Sequence, residues 1–404
     1  MKRLALKFGG TSVGSIEKIK SIANIIKKKH KEGNEIIVIV SAMSGVTNDL
    51  VKKSKSISKN FDNMELDVLL SAGEQISSSL LSGAIINLGL KARSWLGWQI
   101  PIITDKNYNA AQIKNIEKKE ILKFLSKKGI AIISGFQGIS VENRITTLGR
   151  GGSDLSAVAI AKFFNADSCE IYTDVEGIFT TDPSMYKKAK KIDKISYEEM
   201  LEMASLGAKV MQPGSVQASM MYDIPVQVRS AFSQKKGTTI TSENEINYKK
   251  AITGITYSKN DAKVTLLGVV DKPGVAANIF EPLGQNNINV DMVIQNTSPD
   301  GKETDVTFTI KMEDLSKTLK LIKKNKNNLR YKKIIYDSKV SKVSIIGAGM
   351  ISSPGVTYKM FRSLADEKIN ILAISTSEIK ISVLIHEKMI QKAVKALHKT
   401  FELN

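Results

Sequence analysis

The sequence predicts an α/β protein that begins with a doubly wound, mostly parallel sheet and ends with a pair of smaller βαββαβ units. Continuously apolar, β-branched runs such as Ile36 to Val40 alternate with segments of helical spacing through about residue 240. This alternation is typical of parallel strands buried on both faces. Beyond residue 250 the chain repeats itself, because Lys263 to Gly268 returns 79 residues later as Lys342 to Gly347.

The repeat continues through the loops and helices of both copies. Pro273 to Val275 returns 81 residues later as Pro354 to Val356, and Ile288 to Val290 returns as Ile369 to Ile371. Each copy reads as strand, Pro-Gly loop, helix, strand, hairpin partner and last helix, which is the order of a ferredoxin-like unit. Two such units can pair through their sheets and helices and form small-molecule sites, although a purely structural duplication is the alternative.

The first strand ends at a glycine turn. The apolar run Leu4 to Phe8 stops at Gly9 and Gly10, and Ser15 is a favoured N-cap for a helix that begins at Ile16. Backbone amides of such a turn can converge on a phosphate, and the following helix N-terminus adds partial positive charge. Lys7 can add a full charge. An ordinary turn of an α/β protein is the competing interpretation.

Further polar residues follow the later strands. The strand Glu35 to Val40 ends at Ser41, and Thr47 lies in the first turn of the next helix, Val46 to Lys55. A long helix is predicted from Asn63 to Asn87, and another helix from about Ile113 to Lys127. Since α/β sheets bind ligands at the carboxyl ends of their strands, these positions indicate a site.

A second glycine turn leads into a helix predicted at Leu155 to Phe164. It contains Arg150, whose planar guanidinium suits bidentate binding of a carboxylate or phosphate, and Asp154. The strand Cys169 to Tyr172 then ends at Thr173 and Asp174. The P-loop, G-x-G-x-x-G and protein-kinase motifs are missing from the sequence, so a standard nucleotide-binding fold is not predicted.

Composition restricts the class of protein. The 404 residues suggest two or three domains, and the 42% hydrophobic content suffices for ordinary cores. The net charge of +19 comes from lysines scattered over helix faces without interleaved aromatics, so a solvated surface explains it better than nucleic-acid binding. The single Cys169 is expected to be a buried structural thiol. No signal peptide or run of about 18 apolar residues is present, which predicts a cytoplasmic protein without membrane contact.

Four motifs resemble those of the aspartate kinase family. They are Lys7 to Val13, Ser71 to Glu74, Gly149 to Asp154 and Thr173 to Val175, in the family's order and separations. The C-terminal repeat is similar to the tandem ACT domains of that family. The resemblance covers essentially the whole chain. Acetylglutamate and uridylate kinases share the catalytic fold but lack this motif set and the ACT pair.

The resemblance implies phosphorylation of the β-carboxylate of L-aspartate by ATP. A carboxylate acceptor is already ionised at neutral pH, so catalysis reduces to positioning and charge neutralisation. The implied catalytic residues are Lys7, which neutralises the transferred phosphoryl group, and Asp154, which orients that lysine. Glu74 is implied for the substrate ammonium and Arg150 for its α-carboxylate. The implied substrate residues are Ser41, Thr47, Glu74, Arg150, Gly151, Gly152 and Ser153.

The resemblance also implies an ATP site with Mg²⁺ bridging the nucleotide phosphates. The implied nucleotide residues are Lys7, Phe8, Gly9, Gly10, Thr173, Asp174, Phe179, Ser184, Lys209 and Val210. Phe179, Ser184 and Gln212 depart from the commoner Tyr, Arg and His of the family. Because Phe179 and Ser184 would flank the nucleotide, a higher KM for ATP is expected.

The ACT repeat implies inhibition by lysine, threonine or both. The implied effector residues are Asp271, Val275, Asn289, Val290, Asp291, Gln295, Asn370, Ile371, Ser377 and Glu378. The helix that follows Asp271 can accept a carboxylate at its N-terminus, and Asp271 or Asp291 can take an ammonium group. The matching second loop, which begins at Ser352, has no acid at the place of Asp271, so the two sites cannot be equivalent.

Three domains are predicted: a catalytic domain at 1–245, a first ACT domain at 263–338, and a second at 246–262 and 339–404. By the resemblance, Ala251 to Tyr257 should pair with the sheet of residues 342–404. No Met lies between Met221 and Met292, so a separate regulatory chain is not expected and a homo-oligomer, most simply a dimer through the ACT domains, is predicted. A non-catalytic amino-acid sensor and a basic nucleic-acid binder remain the alternatives.

Overall fold

A computed structural model describes residues 1–208, 210–248, 250–299 and 301–403. The chain divides into two compact units. The first unit comprises Met1–Ile178, Lys191–Ser205 and Lys209–Asn247, and the second comprises Phe179–Lys190, Leu206–Ala208 and Tyr248–Asn404.

The first unit contains two sheets and their flanking helices. Its strands are β1 (Arg3–Phe8), β2 (Glu35–Val40), β3 (Ala92–Trp95), β4 (Ile102–Thr104), β5 (Ile113–Ile116), β6 (Ile130–Ser134), β7 (Gln137–Ser140), β8 (Ile145–Thr147), β9 (Ser168–Thr173), β10 (Lys194–Ser196), β11 (Val226–Ser230) and β12 (Thr238–Thr241). Its helices are α1 (Ile16–Lys31), α2 (Val46–Ile57), α3 (Asn63–Asn87), α4 (Lys119–Leu125), α5 (Gly152–Phe163), α6 (Tyr197–Ser205) and α7 (Pro213–Tyr222).

The larger sheet has the strand order β10-β12-β11-β9-β1-β2-β6-β3. Its neighbouring strands are parallel except for the pair β11 and β12, which confirms the predicted mostly parallel sheet. Ile36 to Val40 are fully buried, as expected for a strand covered on both faces. In the register of β1, Lys7 lies opposite Ile39 of β2 and Ile171 of β9, so the carboxyl ends of these three strands meet at one edge.

Two helices begin away from their predicted positions, and α2 ends at Ile57 rather than Lys55. The helix predicted from Ile113 is wrong in its first part, because Ile113–Ile116 forms β5 and pairs antiparallel with β4 before α4 begins. Helix α5 begins at Gly152 rather than Leu155, directly after Gly151 in the left-handed region at φ 72°. The predicted bounds of α3 and the Ser15 N-cap of α1 are confirmed, and the Ser15 hydroxyl accepts from the Lys18 amide at 3.3 Å.

The second unit contains one six-stranded antiparallel sheet of order β14-β15-β13-β16-β18-β17. Its strands are β13 (Gly254–Val270), β14 (Val290–Thr297), β15 (Glu303–Lys311), β16 (Lys333–Ile346), β17 (Ala373–Thr376) and β18 (Lys380–His386). Its helices are α8 (Val275–Gly284), α9 (Leu315–Lys324), α10 (Lys326–Leu329), α11 (Val356–Asp366) and α12 (Ile390–Thr400).

Strand β13 joins the two repeats. Its first part, Gly254 to Tyr257, lies opposite Ile346 to Val343 of β16, which confirms the predicted pairing of this segment with the sheet of the second repeat. Its second part pairs with β15 and with the beginning of β16. The two repeats therefore share one continuous sheet rather than two sheets that meet face to face.

Each repeat keeps its own hydrophobic core. One core gathers residues such as Val264, Leu283 and Phe308, and the other gathers residues such as Val343, Leu364 and Leu397. The duplicated Pro-Gly loops have the same backbone conformation, since Gly274 and Gly355 both adopt φ 89° immediately before their helices. Residues with a Cβ atom rarely adopt this left-handed backbone conformation, which explains why glycine occurs in both copies.

Candidate active site

Lys7 and Asp154 form an ion pair at the carboxyl edge of the large sheet. Lys7 lies near the end of β1, and Asp154 lies in the first turn of α5. The Lys7 Nζ and Asp154 Oδ1 atoms are 2.5 Å apart, and both residues are buried. The early start of α5 places Asp154 in that first turn. A buried cation at a strand end is suited to bind a phosphate group.

The glycine turn after β1 packs tightly against its neighbours. The Gly9 amide donates to the Tyr172 carbonyl at 3.0 Å, and the Ser44 amide donates to the Gly10 carbonyl at 3.1 Å. A Cβ atom at Gly10 would lie 2.8 Å from the Ala42 carbonyl oxygen, so no side chain fits there. The Gly9 amide is thus engaged within the protein, whereas the Gly10 amide makes no hydrogen bond to any residue that the structure describes.

Glu74 lies on α3 with its carboxylate buried beside the loop that follows β2. Its Oε1 atom accepts from the Ala42 amide at 2.9 Å, and Oε2 is buried with no hydrogen-bond partner in the described part of the chain. Burial raises the pKa of the Glu74 carboxyl to about 7, against the opposing effects of the Ala42 amide and the Lys7 charge. Gly73 allows this approach, since a Cβ there would lie 2.7 Å from the Ala42 Cβ.

The other predicted substrate residues lie in the loops after β2 and β8 and in the first turns of α2 and α5. The Ser41 amide donates to the Phe8 carbonyl at 3.1 Å, and Thr47 lies in the first turn of α2. Arg150 is exposed, and its guanidinium has no hydrogen-bond or ion-pair partner among the described residues. Gly151 and Gly152 continue directly from Arg150 into α5, and Ser153 is nearly buried there.

The Arg150 loop is closely packed. A Cβ at Gly151 would lie 2.4 Å from the Gln212 Cγ, and one at Gly152 would lie 2.7 Å from the Phe136 ring. Phe136 itself has φ 67°, a strained conformation for a bulky residue. Its amide donates to the Ser156 hydroxyl at 2.9 Å, and its carbonyl accepts from the Leu148 amide at 3.0 Å. Gln212, which stands where the family commonly has His, therefore packs against the Arg150 loop.

The predicted nucleotide residues are distributed over both units. Thr173 ends β9, and its hydroxyl donates to the Asp174 carboxylate at 3.1 Å, while Val210 lies in a turn before α7. Lys209 lies outside the described residues. Phe179 and Ser184 belong to the second unit, in a segment, Phe179–Lys190, that packs within that unit. There the Thr180 carbonyl accepts from the Ile255 amide at 2.7 Å.

Sequence reasoning missed three residues that hold this site. The Tyr172 ring stacks on Phe8 with centroids 4.7 Å apart, and its hydroxyl donates to Glu170 at 2.7 Å. Phe136 packs on the Arg150 loop. Asp67 is fully buried on α3 and lies seven residues before Glu74, so the helical period could have shown that both acids share one face. Burial raises the pKa of the Asp67 carboxyl.

Three further observations concern Cys169, metal ligands and membrane-spanning helices. Cys169 is buried, and burial raises the pKa of its thiol, as expected of a structural cysteine. The described residues contain no group of three or more His, Cys, Asp or Glu side chains placed to hold a metal ion. Within the same residues, none of the helices combines the length and apolar character needed to cross a membrane.

In the second unit, a cleft of about 560 Å³ lies at the first Pro-Gly loop. Asp271, Val275 and Gln295, three of the predicted effector residues, line it together. Asp291 forms an ion pair with Lys342, and it does not line the cleft, nor do Asn289 and Val290. The predicted residues of the second repeat lie around β17: Asn370 and Ile371 precede it, and Ser377 and Glu378 form the turn after it.

The fold and the site define an amino acid kinase followed by ACT domains. The profile of the amino acid kinase family matches residues 2–230, and that of the ACT domain matches residues 264–325 and 343–401. Aspartate kinase of Pseudomonas putida is 44% identical over 405 residues, which is all of this chain and 98% of that protein. The chain belongs to the aspartate kinase family.

Solved structures agree with this assignment. Escherichia coli aspartokinase III, in complex with aspartate and ADP in the R-state, has a TM-score of 0.81 and 25% identity, and each chain is covered completely. The same enzyme in complex with lysine and aspartate in the T-state has a TM-score of 0.79 and 25% identity over 99% of both chains. The protein is therefore an enzyme, a transferase that uses ATP.

Proposed function

We propose that this chain transfers the γ-phosphoryl group of ATP to the β-carboxylate of L-aspartate, giving 4-phospho-L-aspartate and ADP. The observation that carries the proposal is the buried Glu74 Oε2 atom, which lacks a hydrogen-bond partner among the described residues. A buried carboxylate is costly unless a cation or a hydrogen-bond donor compensates its charge. The substrate ammonium group supplies that cation. The reaction is the first step of lysine, threonine and methionine biosynthesis by the diaminopimelate route, and we place the enzyme in the cytoplasm.

Charge neutralisation is the central task of the proposed mechanism. The β-carboxylate of aspartate has an ordinary pKa near 4 and attacks as the anion, so no general base is required. Lys7, oriented by Asp154, stabilises the charge that develops on the transferred phosphoryl group. The Gly10 amide adds a backbone donor on the same side. The catalytic residues proposed are Lys7 and Asp154.

Aspartate is proposed to bind between α3 and the Arg150 loop. Glu74 holds its ammonium group, and the exposed guanidinium of Arg150 holds its α-carboxylate in a bidentate pair. These two contacts leave the β-carboxylate as the free nucleophile. The remaining substrate contacts come from Ser41 and Thr47 hydroxyls and from the residues Gly151, Gly152 and Ser153.

The nucleotide is proposed to bind at the carboxyl ends of β1 and β9, with Phe8, Gly9 and Gly10 on one side and Thr173, Asp174 and Val210 on the other. Mg²⁺ fits a site of this kind as part of the MgATP substrate, because it keeps several waters and takes most of its other ligands from the phosphates. The assignments of Phe179, Ser184 and Lys209 to the nucleotide rest on the family resemblance alone.

The acceptor is tested by measuring ADP release with a panel of acids. L-Aspartate is expected to support turnover, whereas N-acetyl-L-aspartate and succinate, which lack the ammonium group, are expected to give rates near background. Leaving the Glu74 carboxylate unpaired in a buried site makes discrimination of about 10³-fold or more ordinary. Equal rates with L-aspartate and succinate, or no ADP release with L-aspartate, would contradict the proposal.

We also propose feedback inhibition through the cleft at the first Pro-Gly loop. The α8 N-terminus can accept an amino acid's carboxylate, and Asp271 can take its ammonium group, with Gln295 in reach. Because Asp291 is paired with Lys342, Asp271 is the better candidate of the two acids. Lysine with threonine is our first choice of effector and lysine alone the second. Escherichia coli aspartokinase III forms a complex with lysine.

Asp271→Ala is expected to weaken inhibition by the effector about 10-fold or more, because one charged contact to the ammonium group is lost. The measurement is the inhibition of ADP release by lysine and threonine, singly and together. Glu281→Ala is the control, because Glu281 is an exposed acid on α8 that does not line the cleft, and this variant should keep wild-type inhibition. Equal inhibition of wild type and Asp271→Ala under every condition would overturn the effector assignment.

We propose that the chain has the three domains predicted from its sequence. It has a catalytic domain at 1–245, a first ACT domain at 263–338 and a second ACT domain at 246–262 and 339–404. We propose a homo-oligomer, most simply a dimer formed through the ACT domains. The effector site would be closed across this dimer by four residues of the second repeat, Asn370, Ile371, Ser377 and Glu378. Asn289 and Val290 of the first repeat would lie beside the site.

A further inference from the structure

Asp67 has the contacts of a residue that fixes the substrate site. It lies on α3 seven residues before Glu74, close to two helical turns, so both side chains emerge from the same face. Asp67 is completely buried. A buried carboxylate is costly unless its oxygens are satisfied, and here each oxygen accepts hydrogen bonds.

The donors come from two separate segments of the chain. The Thr147 amide donates to Oδ2 at 2.9 Å, and the Thr147 hydroxyl donates to Oδ1 at 2.5 Å. The Asn109 amide donates to both oxygens at 3.1 and 3.2 Å. In the described part of the chain no lysine, arginine or histidine contacts this carboxylate. Asp67 therefore organises backbone segments rather than neutralising a cation.

The two segments support the loop that contains Arg150. Thr147 ends β8 three residues before Arg150, and its carbonyl accepts from the Ala111 amide at 2.9 Å. Gly149 presses against the other segment, since a Cβ there would lie 2.9 Å from the Asn109 carbonyl oxygen. A single carboxylate thus ties the base of the Arg150 loop to the helix that bears Glu74.

We infer that Asp67 is a positioning residue that sets the separation of Glu74 and Arg150 and thereby the length of dicarboxylic amino acid that the enzyme accepts. This inference rests on the proposed function. Aspartate and glutamate present the same ammonium and α-carboxylate groups and differ by one methylene in the reach of the side-chain carboxylate. When the two anchors are fixed, only one of these lengths brings the nucleophile to the phosphoryl group.

Asp67→Asn tests the inference, because an asparagine keeps the shape but turns an NH₂ group towards an N–H or O–H donor. The KM for L-aspartate is expected to rise about 10-fold or more, with the KM for ATP unchanged and kcat reduced less. The ratio of kcat/KM for L-aspartate to that for L-glutamate is expected to fall. A purely structural role would lower the amount of active enzyme without changing either KM or this ratio.

Matched variants control for folding and for the helix contact itself. Glu65→Gln breaks an exposed ion pair between α3 and Arg144 of the β7–β8 hairpin, and it should leave every kinetic constant near wild type. Thr147→Val removes only the hydroxyl donor and should shift the KM for aspartate in the same direction by a smaller factor, whereas Thr147→Ser should restore it. If Asp67→Asn does not fold, the Thr147→Val and Thr147→Ser variants still test whether this contact sets the KM for aspartate.

The outcomes separate the inference from the function on which it rests. If the wild type releases no ADP with L-aspartate, the proposed function fails. If the wild type is active and both Asp67→Asn and Thr147→Val keep its KM for aspartate and its aspartate to glutamate ratio, the inference is overturned while the function stands.

Discussion

Lys7→Ala is expected to lower kcat for ADP formation by about 10²- to 10³-fold or more. The substitution removes the positive charge at the end of β1, which the proposed mechanism assigns to the transferred phosphoryl group. Since the effect arises in the transition state, kcat should fall with little change in the KM for L-aspartate. The measurement is steady-state ADP release at saturating aspartate and ATP.

The variant must be separated from loss of stability. Removing Lys7 leaves the Asp154 carboxylate buried without its cation, which is strongly destabilising in general. Lys7→Ala combined with Asp154→Asn removes both charges, and it should fold better while remaining inactive. Lys18→Ala is the matched control, because the Lys18 Nζ atom donates an exposed hydrogen bond to the Thr11 carbonyl of the same turn at 2.9 Å. A near wild-type kcat in Lys7→Ala would refute the phosphate assignment.

The second large effect is a pH dependence of kcat/KM for L-aspartate, which we expect to arise from Glu74. Burial raises the pKa of the Glu74 carboxyl to about 7, so this group is protonated below neutral pH in the free enzyme. The neutral acid cannot pair with the substrate ammonium. The value of kcat/KM for L-aspartate should therefore fall as the pH falls through 7, approaching 10-fold for each pH unit. Above that pH it should level off.

Glu74→Gln is expected to remove this inflection and to lower kcat/KM for L-aspartate by about 10²-fold at pH 8, the order of magnitude for losing one partner of a buried charge pair. The glutamine carbonyl can still accept from the Ala42 amide, so the loop after β2 should keep its position. The KM for ATP serves as the internal control. An unchanged pH profile in Glu74→Gln would show that another group titrates, and the ammonium assignment would be withdrawn.

Local pattern was sufficient where a residue's role depends on its own strand or helix. Lys7 and the glycine turn follow from an apolar run that stops at small residues, and both predicted bounds of α3 are confirmed. The repeat in the last part of the chain was visible because two copies of one unit keep the same buried positions. Gly274 and Gly355 recur for the same reason, since both copies need a left-handed residue before a helix.

Local pattern failed where the partner is distant along the chain. Ile113–Ile116 has helical spacing but forms β5, because pairing with β4 outweighs a weak local preference. The segment Phe179–Lys190 follows the Thr173 strand end in sequence, yet its contacts place it in the second unit. The length of β13 was likewise hidden, since only pairing with both β15 and β16 makes one strand of two apparent segments.

The family resemblance predicted the pairing of Gly254 to Tyr257 with β16. The sequence by itself determined the two-part architecture and the positions at which charged residues end strands or begin helices. These depend on interactions between near neighbours or on an internal repeat. Only the tertiary structure decided that Asp67 holds Thr147, that Asp291 pairs with Lys342 rather than lining the cleft, and that one oxygen of Glu74 is buried without a partner in the described residues. Hydrogen bonds between residues 51 to 80 positions apart leave no local trace, because their geometry exists only after the strands and helices have packed.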